Sequence, residues 1–187
     1  LEFEADFSAY LAAHVAPNVS YFSFLRPLSE VAITKRFAAL EKYHAVFRSC
    51  NTAFKLDAQR RNKNWCCDCP KCRFVFLALA PFVPPPEMAN IFGTDMLRDP
   101  AQMEGFAHLC ELGGHKPFEC VGEASESILL FRKLAQMPAW QDAQVVKHVN
   151  AQLPPAPNFE TDYAALFALR PDHRVPDEYM EWLHEDR

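Results

Sequence analysis

Residues 50–72 read CNTAFKLDAQRRNKNWCCDCPKC, and five of the chain's seven cysteines fall inside them. Cys66, Cys69 and Cys72 form C-x2-C-x2-C, with Cys50 a loop's length upstream. Short spacers of this kind let neighbouring thiolates converge on one ion, and four thiolates complete a tetrahedral structural site with no open position for a catalytic water. The expected ligands are Cys50, Cys66, Cys69 and Cys72, with zinc as the metal. Cys67 is left spare, because adjacent residues point different ways. Two other readings stay open: an iron–sulfur cluster, which spacing alone does not exclude, and four buried free thiols.

Outward from this knuckle, RFVFLALAPF (73–82) is almost wholly apolar, so a helix from Pro70 through Phe82 is expected to bury most of its surface. Upstream, residues 51–64 carry Lys55, Arg60, Arg61 and Lys63 without apolar periodicity. They read as an exposed basic loop, either simply solvated or a contact surface for phosphate. Helical spacing of Phe3, Phe7, Tyr10, Leu11 and His14 predicts an amphipathic first helix. VSYFSFL (19–25) is aromatic and β-branched, and predicts a short strand. Ser29 is an expected N-cap for a helix to about Leu40, and a further helical turn is expected near Tyr43–Phe47, with His44 packed there.

After the three prolines at 84–86, a helix over Glu87–Phe92 should end at Gly93. Asp99-Pro100 should start another, running to Leu112. Helices are expected at Ser125–Met137, Trp140–Leu153, Thr161–Leu169 and Pro176–His184. The fold class is therefore mainly α with one or few short strands and a four-cysteine zinc knuckle, a single helical domain over residues 1–187.

The totals bound the function. The chain has 187 residues, 50% of them hydrophobic, enough for a sizeable core. A net charge of −5 argues against a general nucleic-acid-binding face. No apolar run approaches the roughly 20 residues a membrane span needs, and the acidic start LEFEADFSAY is no signal peptide. Clustered cysteines fit a reducing compartment, the cytoplasm.

A second chemical stretch is HKPFECVGE (115–123). His115 and Lys116 could hold a carboxylate or phosphate near a helix N-terminus, and His115, Glu119 or Cys120 could move a proton. The plain alternative is a capped loop with ordinary surface charges, in which Cys120, like Cys110, is a small buried hydrophobe.

SCN (49–51) followed by WCCDCPKCRFVFLAL (65–79) resembles the C-terminal part of the ATP-dependent epimerases that act on UDP-N-acetylmuramoyl-L-alanyl-L-glutamate. FLRPLSEVAITKRFA (24–38) and HKPFECVGEASES (115–127) fit the same family. The cysteine pattern is also similar to that of the 7-cyano-7-deazaguanine synthases of the ATP-pyrophosphatase class, which usually have glycine where Cys67 stands. The resemblance implies inversion of the terminal L-glutamate to D-glutamate in peptidoglycan synthesis. An acyl-adenylate would acidify the α-hydrogen, which is removed on one face and returned on the other. It also implies catalytic roles for His115, Glu119 and Cys120, and substrate contacts from Lys116, Glu123, Arg26, Arg48 and Asn51. The partners implied are the UDP-linked muramoyl dipeptide and an upstream α/β domain holding ATP and magnesium. With five glycines and no S-G-G-x-D-S loop, this chain has no phosphate cradle of its own. Two alternatives are a nucleobase-modifying ATP-pyrophosphatase-like enzyme and a non-catalytic zinc module.

Overall fold

The computed structural model describes residues 2–61 and 64–184. Nine α-helices order along them: α1 Glu2–His14, α2 Glu30–Ala38, α3 Pro70–Leu79, α4 Pro85–Phe92, α5 Met103–Leu109, α6 Ala124–Gln136, α7 Gln144–Asn150, α8 Phe159–Ala165 and α9 Asp177–His184. No strand occurs among the described residues, and none of their helices is long and apolar enough to cross a membrane.

α3 is the hub. Pro70 opens it, where a missing N–H costs nothing. Phe74, Phe76, Leu77, Ala78 and Leu79 are all buried, so the helix is apolar nearly all round. α2, α4, α5 and α6 pack on it. It stops at Leu79, earlier than Phe82, because Pro81 has no N–H to give the Leu77 carbonyl. Ring contacts extend the core, with Phe76 centred 4.9 Å from Phe92 and Phe106 6.0 Å from Phe131. A smaller cluster of Leu28, Ala32, Val175 and Leu183 joins α2 to α9.

Several helix ends follow their capping residues. The Ser29 hydroxyl accepts the Ala32 N–H at 2.9 Å and starts α2. Gly93, left-handed at φ 81, ends α4. Asp99 caps as expected, accepting the Ala101 N–H at 3.0 Å, but the first turn is 3-10 and α5 ends at Leu109. Glu111 turns left-handed there (φ 60), before the glycines are reached.

Three expectations are corrected. The strand over Val19–Leu25 does not form: with no partner strand to bond, the segment is irregular and packs its aromatics instead, Tyr21 edge-on to Phe7 at 4.8 Å and Phe22 against Tyr179 at 5.4 Å. α1 forms, but Phe3 and Tyr10 are exposed and its one buried residue is Glu4, paired with Arg26 at 3.1 Å. The helix expected over Trp140–Leu153 is confined to Gln144–Asn150. Trp140 is instead drawn inward from a turn, fully buried, its indole N–H donating to the Ala80 carbonyl at 2.8 Å.

That indole ties the end of α3 to the turn after α6. Trp140→Phe should destabilise the chain by about 2–4 kcal/mol, from lost volume and an orphaned carbonyl. Urea unfolding at constant m-value checks it; a loss under about 0.5 kcal/mol would contradict this anchoring role.

Candidate functional site

Four sulfurs meet at the N-terminal end of α3. Cys69 is the N-cap and Cys72 lies in the first turn, where the helix end favours negative charge. Cys50 arrives from the loop after α2, and Cys66 follows Trp65, which is buried between Phe47 (5.1 Å) and Phe92 (4.7 Å). The ligand atoms of Cys50, Cys66, Cys69 and Cys72 all lie within 4.8 Å of one another. Cys66 and Cys72 Sγ are 3.7 Å apart, and Cys69 and Cys72 Sγ 3.5 Å. A tetrahedron with metal–sulfur bonds of about 2.3 Å has edges of roughly 3.8 Å. The group therefore fits a metal ion.

Cys67 stands apart. Its backbone is left-handed (φ 55), a conformation that suits glycine better than a residue with a side chain. Its Sγ turns away to the Phe92 carbonyl at 3.3 Å, and burial pushes the thiol up to about 11. The knuckle is braced by Arg73, which donates to Asp68 at 2.8 Å and Gln102 at 2.9 Å.

Protons and charge divide unevenly over the ligands. Burial pushes the Cys50 thiol up, but hydrogen bonds from the Thr52 hydroxyl and the Cys66 N–H outweigh it and leave it at about 6. Burial dominates at Cys69 and Cys72, both raised. A metal must displace those protons, so binding releases protons and weakens as pH falls.

The 115–123 segment adjoins the knuckle. Asn51, next to Cys50, donates from Nδ2 to Glu119 Oε2 at 2.6 Å. Two adjoining clefts of about 380 and 460 Å³ share Lys116, Glu119, Cys120 and Glu123 as lining residues. Lys116 is half-buried; Glu119, Cys120 and Glu123 are exposed. Cys120 is thus not a buried hydrophobe, whereas Cys110 is, its thiol pushed up to about 12 by burial. His115 is exposed and lines neither cleft. Arg26 pairs with Glu4, and Arg48 donates to the Phe47 carbonyl and, at 3.5 Å, to Asn64; neither lines these clefts. His44 is buried and bonds Glu87 at 2.7 Å. In the basic loop, Lys55 and Arg61 are exposed and Lys63 lies outside the described residues.

Sequence reasoning missed Glu126 and Arg170, which line the smaller cleft. Burial pushes the Glu126 carboxyl above the usual carboxylate range, against the pull of Arg170; the charges of Glu30 and Glu123 add to the rise. A signal was present: Glu126, Leu130 and Leu134 recur at four-residue spacing on the buried face of α6. A charged residue in an apolar stripe is the informative exception.

The family described as the MurL C-terminal domain matches residues 46–164. Three proteins named UDP-N-acetyl-alpha-D-muramoyl-L-alanyl-L-glutamate epimerase are similar over nearly the whole chain. The one from Xanthomonas oryzae pv. oryzae is 43% identical over 96% of this chain, that from Micromonospora sp. 44% over 98%, and that from Salinispora tropica 42% over 98%. The chain spans 40% of the length of each. No solved structure matches. The chain belongs to the MurL C-terminal domain family.

Metal analysis of the purified chain should find one ion bound. Cys69→Ser should lose it, while Cys67→Ser keeps it. Stripping the ion with a strong chelator should lower Tm by roughly 10 °C, since each kcal/mol moves Tm by about 2–4 °C at this size. Equal metal loss in both variants would contradict the ligand assignment.

Proposed function

We propose that this chain is the C-terminal part of an ATP-dependent epimerase that inverts the terminal L-glutamate of UDP-N-acetylmuramoyl-L-alanyl-L-glutamate in cytoplasmic peptidoglycan precursor synthesis. The observation that carries this reading is the 42–44% identity, over nearly all of this chain, to three proteins named for that epimerisation. ATP dependence is supported by the likeness of the WCCDCPKC stretch to the ATP-pyrophosphatase class. ATP and magnesium would be held by an upstream nucleotide-binding domain of the longer protein.

Zinc is the metal that the donor set favours: four cysteines and no open position make a structural clamp. A colourless protein holding one zinc is the expected outcome; broad visible absorption with bound iron and sulfide would mean an iron–sulfur cluster instead.

ATP held upstream would take the glutamate α-carboxylate to an acyl-adenylate with loss of diphosphate, acidifying the adjacent α-hydrogen; hydrolysis after inversion would release AMP and restore the carboxylate. This chain's residues then have three tasks. Lys116, common to both clefts, meets the anionic substrate. Glu119, its carboxylate bonded by Asn51, and the exposed thiol of Cys120 take and return the proton. His115, exposed at the start of the segment, would reach the substrate from outside the clefts.

Full-length protein incubated in deuterium oxide should place deuterium at the glutamate α-carbon. Glu119→Ala and Cys120→Ala should each slow this on the order of 100-fold or more, with His115→Ala less affected. Unchanged incorporation in all three would move the chemistry out of these clefts.

A further inference from the structure

The smaller cleft holds an ion pair that the reading above does not use. The segment after α8 is pinned beside the start of α2: Arg170 N–H donates to the Pro27 carbonyl at 2.8 Å, and the Ser29 hydroxyl to the Leu166 carbonyl at 2.7 Å. From there Arg170 Nη2 donates to Glu126 Oε1 at 3.2 Å. The two halves of the pair differ in exposure. The Glu126 side chain is 3% exposed, and that of Arg170 is 54% exposed. The second carboxylate oxygen, Oε2, is buried with no hydrogen-bond partner.

Burying a carboxylate is expensive, and a half-exposed arginine returns little of that cost as stability. The arrangement gives something else. It fixes one edge of a guanidinium from behind and leaves the rest of the planar fork open to the cleft, where it can clamp a carboxylate through paired hydrogen bonds. The other charges confine where an anion can sit. Glu30, Glu119 and Glu123 line the same cleft and repel it, so Arg170 and Lys116 are the lining cations left to hold it.

We infer that Arg170, positioned by Glu126, recognises the side-chain carboxylate of the substrate's terminal glutamyl residue. The inference rests on the epimerase reading. Under that reading the α-carboxylate is consumed by activation, so the side-chain carboxylate is the charged group that stays beside the reacting carbon. Two methylenes separate it from that carbon. Arg170 lines the same cleft as Glu119 and Cys120, so it can hold the residue while its α-hydrogen is moved. Arg170 is a binding residue in this scheme, and Glu126 acts through it.

The test uses full-length protein and two substrates, one ending in L-glutamate and one in L-glutamine, which replaces the side-chain charge with a neutral amide. The wild type should prefer the glutamyl substrate on the order of 100-fold in kcat/KM. Arg170→Gln should abolish that preference, mainly by raising KM for the glutamyl substrate, with the glutaminyl substrate little changed. Arg170→Lys should restore part of it, and Glu126→Gln should lose about tenfold on the glutamyl substrate alone. A wild type inactive on the glutamyl substrate would sink the epimerase reading itself. An active wild type whose preference survives in Arg170→Gln, or Arg170→Gln and Arg170→Lys variants that lose both substrates equally, would overturn the assignment of Arg170 alone.

Discussion

Four sulfur atoms crowded within 4.8 Å at a helix N-terminus are the constraint on which the rest of the structure depends. As thiolates they repel one another. As thiols they are weak hydrogen-bond partners buried against a core. Hydrogen bonds hold the Cys50 thiol down at about 6, while burial raises those of Cys69 and Cys72. A divalent ion would resolve the conflict by holding all four as thiolates. The consequence would be geometric: Cys50, Cys66 and the first turn of α3 would be tied into one corner from which α3 enters the core.

The clefts are linked to that corner and helix through two contacts. Asn51 reaches from the knuckle to Glu119. Gly122, left-handed at φ 60, lies so close to α3 that a Cβ there would overlap the Phe74 ring and come within 3.2 Å of Glu126 Oε2. The 115–123 segment thus rests on the central helix with no room for a side chain at that point. A shift of α3 would displace both Glu119 and the start of α6, so the cysteine cluster helps set the positions of the residues lining the clefts.

What the sequence made legible is what short-range physics decides. The cysteine spacing, the apolar run of α3, the Ser29 and Asp99 caps and the Gly93 stop all act within a few residues, and each stands where the pattern put it. Two failures are local, where Pro81 cuts α3 short and the left-handed Glu111 ends α5 early; the larger ones turn on distant partners. Val19–Leu25 has strand composition, but a strand needs a partner at a distance in sequence, and none among the described residues comes. Trp140 fits a helix by its local pattern, yet its partner is the Ala80 carbonyl, 60 residues away. Arg170 lies 44 residues from Glu126, with nothing local to mark it. In the 115–123 segment, residue types alone grouped His115 with Glu119 and Cys120; the structure leaves His115 outside the clefts those two line.

Two glutamates in this fold are buried against half-exposed arginines, Glu4 with Arg26 and Glu126 with Arg170, and both leave Oε2 without a partner. The pairing alone therefore cannot assign a role. Surroundings separate them. Arg26 holds α1 to the irregular segment that follows it, at the edge of the fold, and Tyr21 packs over the same helix. Arg170 opens into a cleft that also contains Lys116, Glu119 and Cys120. A buried carboxylate is costly in either place. At the first it fastens a peripheral helix. At the second, under the proposed epimerase reading, the same expense would set the orientation of a cation beside Glu119 and Cys120, and orientation is what an inversion at a single carbon most requires.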